Sequence, residues 1–583
     1  METVMETVNI KINGMPLTVP KNYTILEAAR ELNIEIPTLC YLKELNEIGA
    51  CRICVVEVKG ARSLVTACVY PVAEGMEVRT NTPKVQQARK MTLELILSTH
   101  NRACLSCVRS GNCELQKLCQ EFGVDDESRF DGANPVDTFD DSAIHLVRDN
   151  SKCILCRRCV AACKNQQVSV IGVNDRGFDT HIGCAFDENL GKVPCISCGQ
   201  CIVHCPTAAL TERDDTDRVR AAIADPAKHV IVQTAPSIRV TLGESFGMPI
   251  GSNVKGKMVA ALRRLGFDKV FDTDLAADLT IMEEATEFLH RVRHGGPLPL
   301  ITSCSPGWIK YCEYYYPEFL KNISTCKSPQ QMFGAMAKTW YAEKNGIDPK
   351  NIVVVGIMPC TAKKFEVARD NEDASGYPDC DIALTTRELA RMINRAHIYF
   401  RHLPDEEFDS PLGESTGAAA IFGATGGVME AALRTAADVL EGKPVDVKFT
   451  EVRGTDRVKE AVYHVGGMDV RVAVTSGLKG AHEILERVKN GEQFHFIEVM
   501  GCPGGCVNGG GQIQPAVVHS FVDLKSKRAA ALYEEDERLT LRKSHDNPVV
   551  KKMYEEYLGE PGGHLAHKIL HTSYVDRSGD VLK

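Results

Sequence analysis

Cysteine is the residue whose number and spacing stand out, at 24 in 583 residues. Segment 1–10 has neither a basic stretch nor an apolar stretch of the kind that directs export, so a cytoplasmic chain is expected. A reducing cytosol disfavours structural disulfides and leaves metal ligation as the use for so many thiols. Thiolates suit zinc, copper(I) and iron–sulfur clusters about equally well, so spacing has to discriminate. Cys153, Cys156, Cys159 and Cys163 form C-x2-C-x2-C-x3-C, and Cys195, Cys198, Cys201 and Cys205 repeat it ahead of Pro206. This doubled run is that of two [4Fe-4S] clusters, in which the fourth Cys of each run ligates the other cluster. Cys205 is therefore expected to complete the site begun by Cys153, and Cys163 the site begun by Cys195. The doubled spacing fits two zinc knuckles poorly.

Two further groups precede this one. Cys40, Cys51, Cys54 and Cys68 read C-x10-C-x2-C-x13-C, within a segment of short strands (VNIKI, CVVEV) around a helix, TILEAARELN. Structural zinc usually takes two close CxxC knuckles, and only one occurs here, so a [2Fe-2S] cluster in a β-grasp domain is the expectation. A helix bearing Leu93, Ile96 and Leu97 leads to His100, followed by Cys104, Cys107 and Cys113. One imidazole and three thiolates could hold zinc, but the position between two iron–sulfur segments favours a His-ligated [4Fe-4S] cluster. Cys119, Cys184, Cys312, Cys326 and Cys380 are read as small buried hydrophobes.

From about residue 228 the pattern becomes α/β, with apolar runs HVIVQ, KVFDT, LPLIT, NIVVVGI, RVAVT and FHFIEVM between helical stretches. Three runs lead straight into cysteine: Cys304, Cys360, and the pair Cys502 and Cys506. In open α/β sheets ligands gather beyond the carboxyl ends of the strands, so these distant cysteines could hold one cofactor at one rim. Gly504, Gly505, Gly509, Gly510 and Gly511 are not followed by a Lys-Ser/Thr pair, which disfavours a phosphate loop. They suit close approach of backbone to a bulky cofactor. In MEEATEFLHR, Glu284, Glu287 and Arg291 fall on one helix face, where an ordinary surface ion pair is the alternative to a functional role.

These residues carry resemblances. The N-terminal cysteine groups resemble the large peripheral iron–sulfur subunit of respiratory complex I, and the doubled run resembles bacterial two-cluster ferredoxins. The motifs TSCSPGW (302–308), MPCTAKKFE (358–366) and MGCPGGCVNGGG (500–511) resemble those of the catalytic subunit of [FeFe]-hydrogenases. The resemblance covers essentially the whole chain. It implies the H-cluster, a [4Fe-4S] cube joined through a cysteine sulfur to a di-iron unit carrying CO, cyanide and azadithiolate. Carried over by register, Cys360, Cys502 and Cys506 hold the cube, with Cys506 as the bridge. Lys363 hydrogen-bonds a cyanide, and Pro236, Ser237, Gln330, Met358 and Met500 line the di-iron pocket. Arg291, Glu287, Ser324, Glu284 and Cys304 form the proton relay. At Ser305 the chain departs from the family, which has a second cysteine there as a cube ligand. Either Ser305 takes that ligand position and Cys304 delivers protons, or the loop shifts and the two exchange roles.

The expected architecture is multidomain, α+β and then α/β. It comprises a 2Fe-2S ferredoxin-like β-grasp domain (1–84), a 4Fe-4S segment with one histidine and three cysteine ligands (85–140), a two-cluster ferredoxin domain (141–215) and an H-cluster domain (225–583). A net charge of −9, without long runs of one sign, argues against nucleic acid as partner. No run approaches the roughly 18 apolar residues of a membrane helix. The expected function is interconversion of H2 with protons and electrons. A flavin-containing NAD(P)-linked subunit, a small iron–sulfur subunit and ferredoxin are the expected electron partners, as in electron-bifurcating complexes. An electron-transfer-only subunit would need only the first 215 residues, and an H2-sensing relative would usually carry a signalling extension. Full loading should give about 20 iron atoms per chain and almost no zinc. Elemental analysis checks this, and stoichiometric zinc with iron nearer about 16 would remove one of the two N-terminal sites, the Cys40 group or the His100 group.

Overall fold

The computed structural model describes residues 6–125, 130, 138–445, 449–513 and 522–581. At the N-terminus a five-stranded sheet has the order Met15–Pro20, Thr7–Ile12, Glu77–Arg79, Val55–Val58, Val65–Thr66. Thr7–Ile12 alternates exposed and buried residues, turning Val8, Ile10 and Ile12 onto the helix Ile25–Glu31. Thr24 and Glu27 begin that helix with a reciprocal capping box. The helix Pro83–Leu97 then leads to the His100 segment, and short helices at Arg158–Asn165 and Gln200–Val203 carry the doubled cysteine runs.

Two four-stranded sheets build the C-terminal half. The first is wholly parallel, in the order Lys269–Asp272, His229–Thr234, Ile352–Met358, Ile382–Thr385. The second runs Leu300–Ile301, Phe496–Met500, Met468–Ser476, Val458–Val465, with only the last strand antiparallel. Successive residues serve opposite cores: Ile231 and Val354 face one, Val230, Val232, Val355 and Ile357 the other. In the second sheet Val472, Val474 and Phe496 oppose Ala473, Ile497 and Val499. Burial on both faces explains the uninterrupted apolar runs of the sequence. The edge strands Ile382–Thr385 and Val458–Val465 were not among the runs recognised there.

The helix Thr273–His294 is started by the Asp272 side chain, which accepts from the Asp274 N–H, and ended by Gly295 at φ 73°. Glu283, Glu284 and Arg291 are buried on it. Among the described residues no helix is long and apolar enough to cross a membrane.

Candidate active site and its wiring

Parallel strands within a sheet deliver their carboxyl ends to one side, and each sheet sends two neighbouring strands to the same cavity. His229–Thr234 leads to Ala235 and Pro236, Ile352–Met358 to Pro359 and Cys360. Leu300–Ile301 leads to Cys304 and Ser305, and Phe496–Met500 to Gly501 and Cys502. Cys506, Lys363, Gln330, Met358 and Met500 complete the part of the lining that the sequence anticipated. The glycines bring backbone into contact: a Cβ on Gly509 would lie 2.2 Å from the Pro359 carbonyl oxygen.

The donors suit a metal cofactor. Burial pushes the Cys360 and Cys502 thiols above their ordinary range and Cys506 to about 12, and neighbouring sulfurs add to the effect on Cys502 and Cys506. Such thiols lose their protons only beside a cation, the service that iron performs. Gln330 Oε1 is buried without a hydrogen-bond partner. Lys363 Nζ donates to Ser328 Oγ at 2.7 Å and to Glu366 at 2.8 Å, and Gln330 Nε2 donates to the same carboxylate at 3.1 Å. Ser305 Oγ accepts from the Gly501 N–H at 3.1 Å. His100 Nδ1 is buried and unpartnered, and burial lowers its imidazole to about 4, leaving the neutral ring that ligates metals.

A polar chain runs away from Cys304. Burial, and then Glu284, raise the Cys304 thiol. Burial, and then Glu287, push the Glu284 carboxyl up to about 8. Ser324 Oγ donates to Glu287 Oε2 at 2.9 Å, and Arg291 donates to Glu287 Oε1 at 2.5 Å. The Arg291 and Glu287 side chains are 8% and 15% exposed, so this is an interior pair rather than a surface one.

The cysteine groups follow one another toward the cavity. The Cys54 and Cys68 sulfurs are 3.3 Å apart, and Asn46 Nδ2 donates to both the Cys40 and the Cys156 carbonyls. Cys113 Sγ lies 3.7 Å from the Pro206 carbonyl oxygen, and Cys104 and Cys107 stand in the same half-exposed segment. Cys153, Cys156, Cys159 and Cys205 line one pocket, across the two runs. Beyond burial, Cys195 and Cys163 together raise Cys198 and Cys201, the second crossed group. Cys198 in turn acts on Cys502, and a Cβ on Gly510 would come within 2.1 Å of the Cys198 carbonyl oxygen. Gln166 Nε2 donates to the Gly501 carbonyl at 2.7 Å, pinning the ferredoxin-like segment to the cavity loop.

Residues 228–510 match the family "Iron only hydrogenase large subunit, C-terminal domain". NADP-reducing hydrogenase subunit HndD of Solidesulfovibrio fructosivorans is 50% identical over 98% of this chain and 100% of its own length. The chain belongs to the [FeFe]-hydrogenases. Iron hydrogenase 1 of Clostridium pasteurianum is 45% identical over 97% of this hydrogenase and 99% of that protein. A variant of apo [FeFe]-hydrogenase HydA1 from Chlamydomonas reinhardtii superposes with a TM-score of 0.56 at 42% identity, covering 62% of this chain and 99% of that one. Matches to a 2Fe-2S binding domain (5–83), the NADH-ubiquinone oxidoreductase-G iron–sulfur region (89–128) and a 4Fe-4S dicluster domain (152–209) account for the N-terminal groups. Residues 522–577 match "Iron hydrogenase small subunit". The hydrogenase thus carries 2Fe-2S, 4Fe-4S and H-cluster domains on one chain.

Ser237, anticipated in the pocket, packs against Gly423, which lines it. Ser237 is fully buried, and its hydroxyl accepts from Gln512 Nε2 at 3.1 Å. Thr273, Phe422 and Gly423 line the hydrogenase cavity without having been anticipated. They come from helix and turn segments with no cysteine motif, so no local signal marks them. Glu366 was visible within MPCTAKKFE, but its joint hold on Lys363 and Gln330 required the fold.

Glu284 sets a pH test. Its folded pKa, about 8, lies above the ordinary 4.5, so folding is favoured by protonation. That contribution is fully present below about pH 4.5 and is lost as pH rises through about 8. Glu284→Gln, which cannot ionise, should therefore gain thermal stability relative to wild type as pH rises from about 5 to about 8, while losing turnover. Thermal melts across that range check it, and a difference independent of pH would show that Glu284 is not held neutral.

Proposed function

We propose that this hydrogenase interconverts H2 with two protons and two electrons at an H-cluster held by Cys360, Cys502 and Cys506, with Ser305 in the fourth position. The observation that carries this is the convergence of those side chains and Cys304 on one buried cavity, with Cys198 on one side and Glu284 on the other. When bound, the H-cluster supplies the bond-breaking chemistry on H2. The chain supplies position, protons and wiring. Lys363, held by Glu366 and Ser328, presents an ammonium to a cyanide. Pro236, Gln330, Met358 and Met500 exclude water around it. Cys304 exchanges a proton at Sγ, and Glu284, Ser324 and Glu287 pass it on, with Arg291 fixing Glu287. Cys153, Cys156, Cys159 and Cys205, together with Cys163, Cys195, Cys198 and Cys201, ligate the two ferredoxin-type clusters. His100, Cys104, Cys107 and Cys113 hold the next, and Cys40, Cys51, Cys54 and Cys68 the [2Fe-2S] centre.

The hydrogen bond from Gly501 to Ser305 Oγ supports the assignment of Ser305 beside the cube loop, and the coupling of Cys304 to Glu284 supports its proton role. Cys304→Ala should keep the infrared bands of cluster CO and cyanide and lose roughly 10²-fold or more in turnover. Ser305→Cys should retain activity with shifted cluster spectra. Loss of the cube itself in Cys304→Ala would reverse the two roles.

The match of residues 89–128 to the complex I iron–sulfur region, and the name of the NADP-reducing relative, support an assembly. Its members would be a flavin-containing NAD(P)-linked subunit and a small iron–sulfur subunit, with ferredoxin as a second carrier. Purification at endogenous levels from the native cell should bring down the flavoprotein. A monomer with full ferredoxin activity and no flavoprotein attached overturns the assembly.

A further inference from the structure

Proposed as the outer end of the relay, Arg291 cannot itself deliver a proton, because a guanidinium stays protonated at any physiological pH. Its side chain is locked besides. It donates to Glu287, to the Pro297 carbonyl at 3.1 Å and to the Asn322 and Ile323 carbonyls at 3.0 Å. Glu287 therefore needs another titratable neighbour.

The C-terminal segment provides one. Thr572 N–H donates to the Thr325 carbonyl and Lys327 N–H to the Leu570 carbonyl, both at 2.8 Å, so residues 570–572 lie antiparallel to the loop next to Ser324. This register sets His571 opposite Cys326. A ring nitrogen of His571, a Glu287 oxygen and Cys326 Sγ all lie within 4.8 Å of one another, a span that one water bridges. His571 Nδ1 is 2.7 Å from Thr325 Oγ1, and Nε2 is 3.0 Å from Glu283 Oε2. Glu283, fully buried, also accepts from the Tyr554 hydroxyl and from the Gly562 N–H at 2.9 Å. A carboxylate so fixed orients the imidazole. The His571 side chain keeps 5% exposure, and the exposed His567 stacks on it at 4.4 Å between ring centres.

We infer that His571 is the titratable group through which protons enter and leave the relay at Glu287. This rests on the reading of Glu287 as a relay residue. In the inward direction an imidazolium N–H bond breaks, a carboxyl O–H bond forms on Glu287, and the ring takes its next proton from water at the His567 edge. The charged and titratable groups around the ring are Glu283 and Glu287 on the long helix, Cys326 on the loop, Tyr554, and His567 on its own helix. His564 also acts on His567.

The test uses fully matured holoenzyme and compares Glu287→Gln, His571→Gln, His571→Ala and His567→Gln. His571→Gln should lose roughly fivefold or more in H2 turnover with unchanged iron content and infrared bands. The pH profile of turnover should change shape with it, because an amide cannot exchange the ring's proton. Added imidazole should restore His571→Ala, and His567→Gln should show a smaller loss of the same sign. Wild-type turnover and pH profile in His571→Gln, beside an impaired Glu287→Gln, would overturn the His571 entry and leave the relay standing. Unchanged turnover in Glu287→Gln would overturn the relay and the entry together. Loss in His571→Ala with shifted infrared bands and no response to imidazole would assign His571 a purely structural part, and so overturn the entry.

Discussion

A buried thiol keeps its proton, and the catalytic half of this hydrogenase is built around that fact. Cys360 comes from one loop, Cys502 and Cys506 from another far away in sequence, and they meet where water is excluded, so each is held neutral until iron lies beside it. Burying several sulfurs together would be unfavourable without a cofactor to take their charge. Two sheets whose parallel strands end on one side satisfy the geometry, because strand ends are fixed in space by hydrogen-bond register rather than by loop conformation.

The proposed electron and proton routes meet the cavity on different sides and are built differently. On the ferredoxin-like side the closest approach is backbone to backbone, where Gly510 passes the Cys198 carbonyl. On the proton side the contacts are between polar side chains. There burial holds Glu284 in the carboxylic acid form that can donate, while Arg291 keeps Glu287 in reach of Ser324. Separation of the two routes lets one be packed tightly and the other keep groups that titrate.

Buried ion pairs hold the ferredoxin-like segment against the catalytic half. Lys364 Nζ donates to Asp215 at 2.6 Å and to Glu388 at 2.9 Å, and Arg387 and Arg391 both grip Glu212. The arginines hold the Glu212 carboxyl well below its usual range despite the cost of its burial. Pairs of this kind add little net stability over an apolar contact, but they penalise misalignment heavily. That suits an interface whose task is to keep two cofactor loops in contact.

The sequence by itself determined what is short-range. Close cysteine spacings point to cluster type because thiols two residues apart on one loop reach the same metal centre, while the fourth of each doubled run reaches the neighbouring one. The three motifs after strands were enough to mark Cys304, Ser305, Cys360, Cys502 and Cys506, and period-3.6 spacing put Glu284, Glu287 and Arg291 on one face. Tertiary structure alone decided what depends on distant pairing. It brought Thr273, Phe422 and Gly423 into the cavity and laid His571 against Glu287, which lies far earlier in the chain. None of these has a local signature. A hydroxyl, a glycine or a lone histidine acquires its chemistry from what the fold sets beside it, and strand register and segment docking are settled by packing across the whole chain.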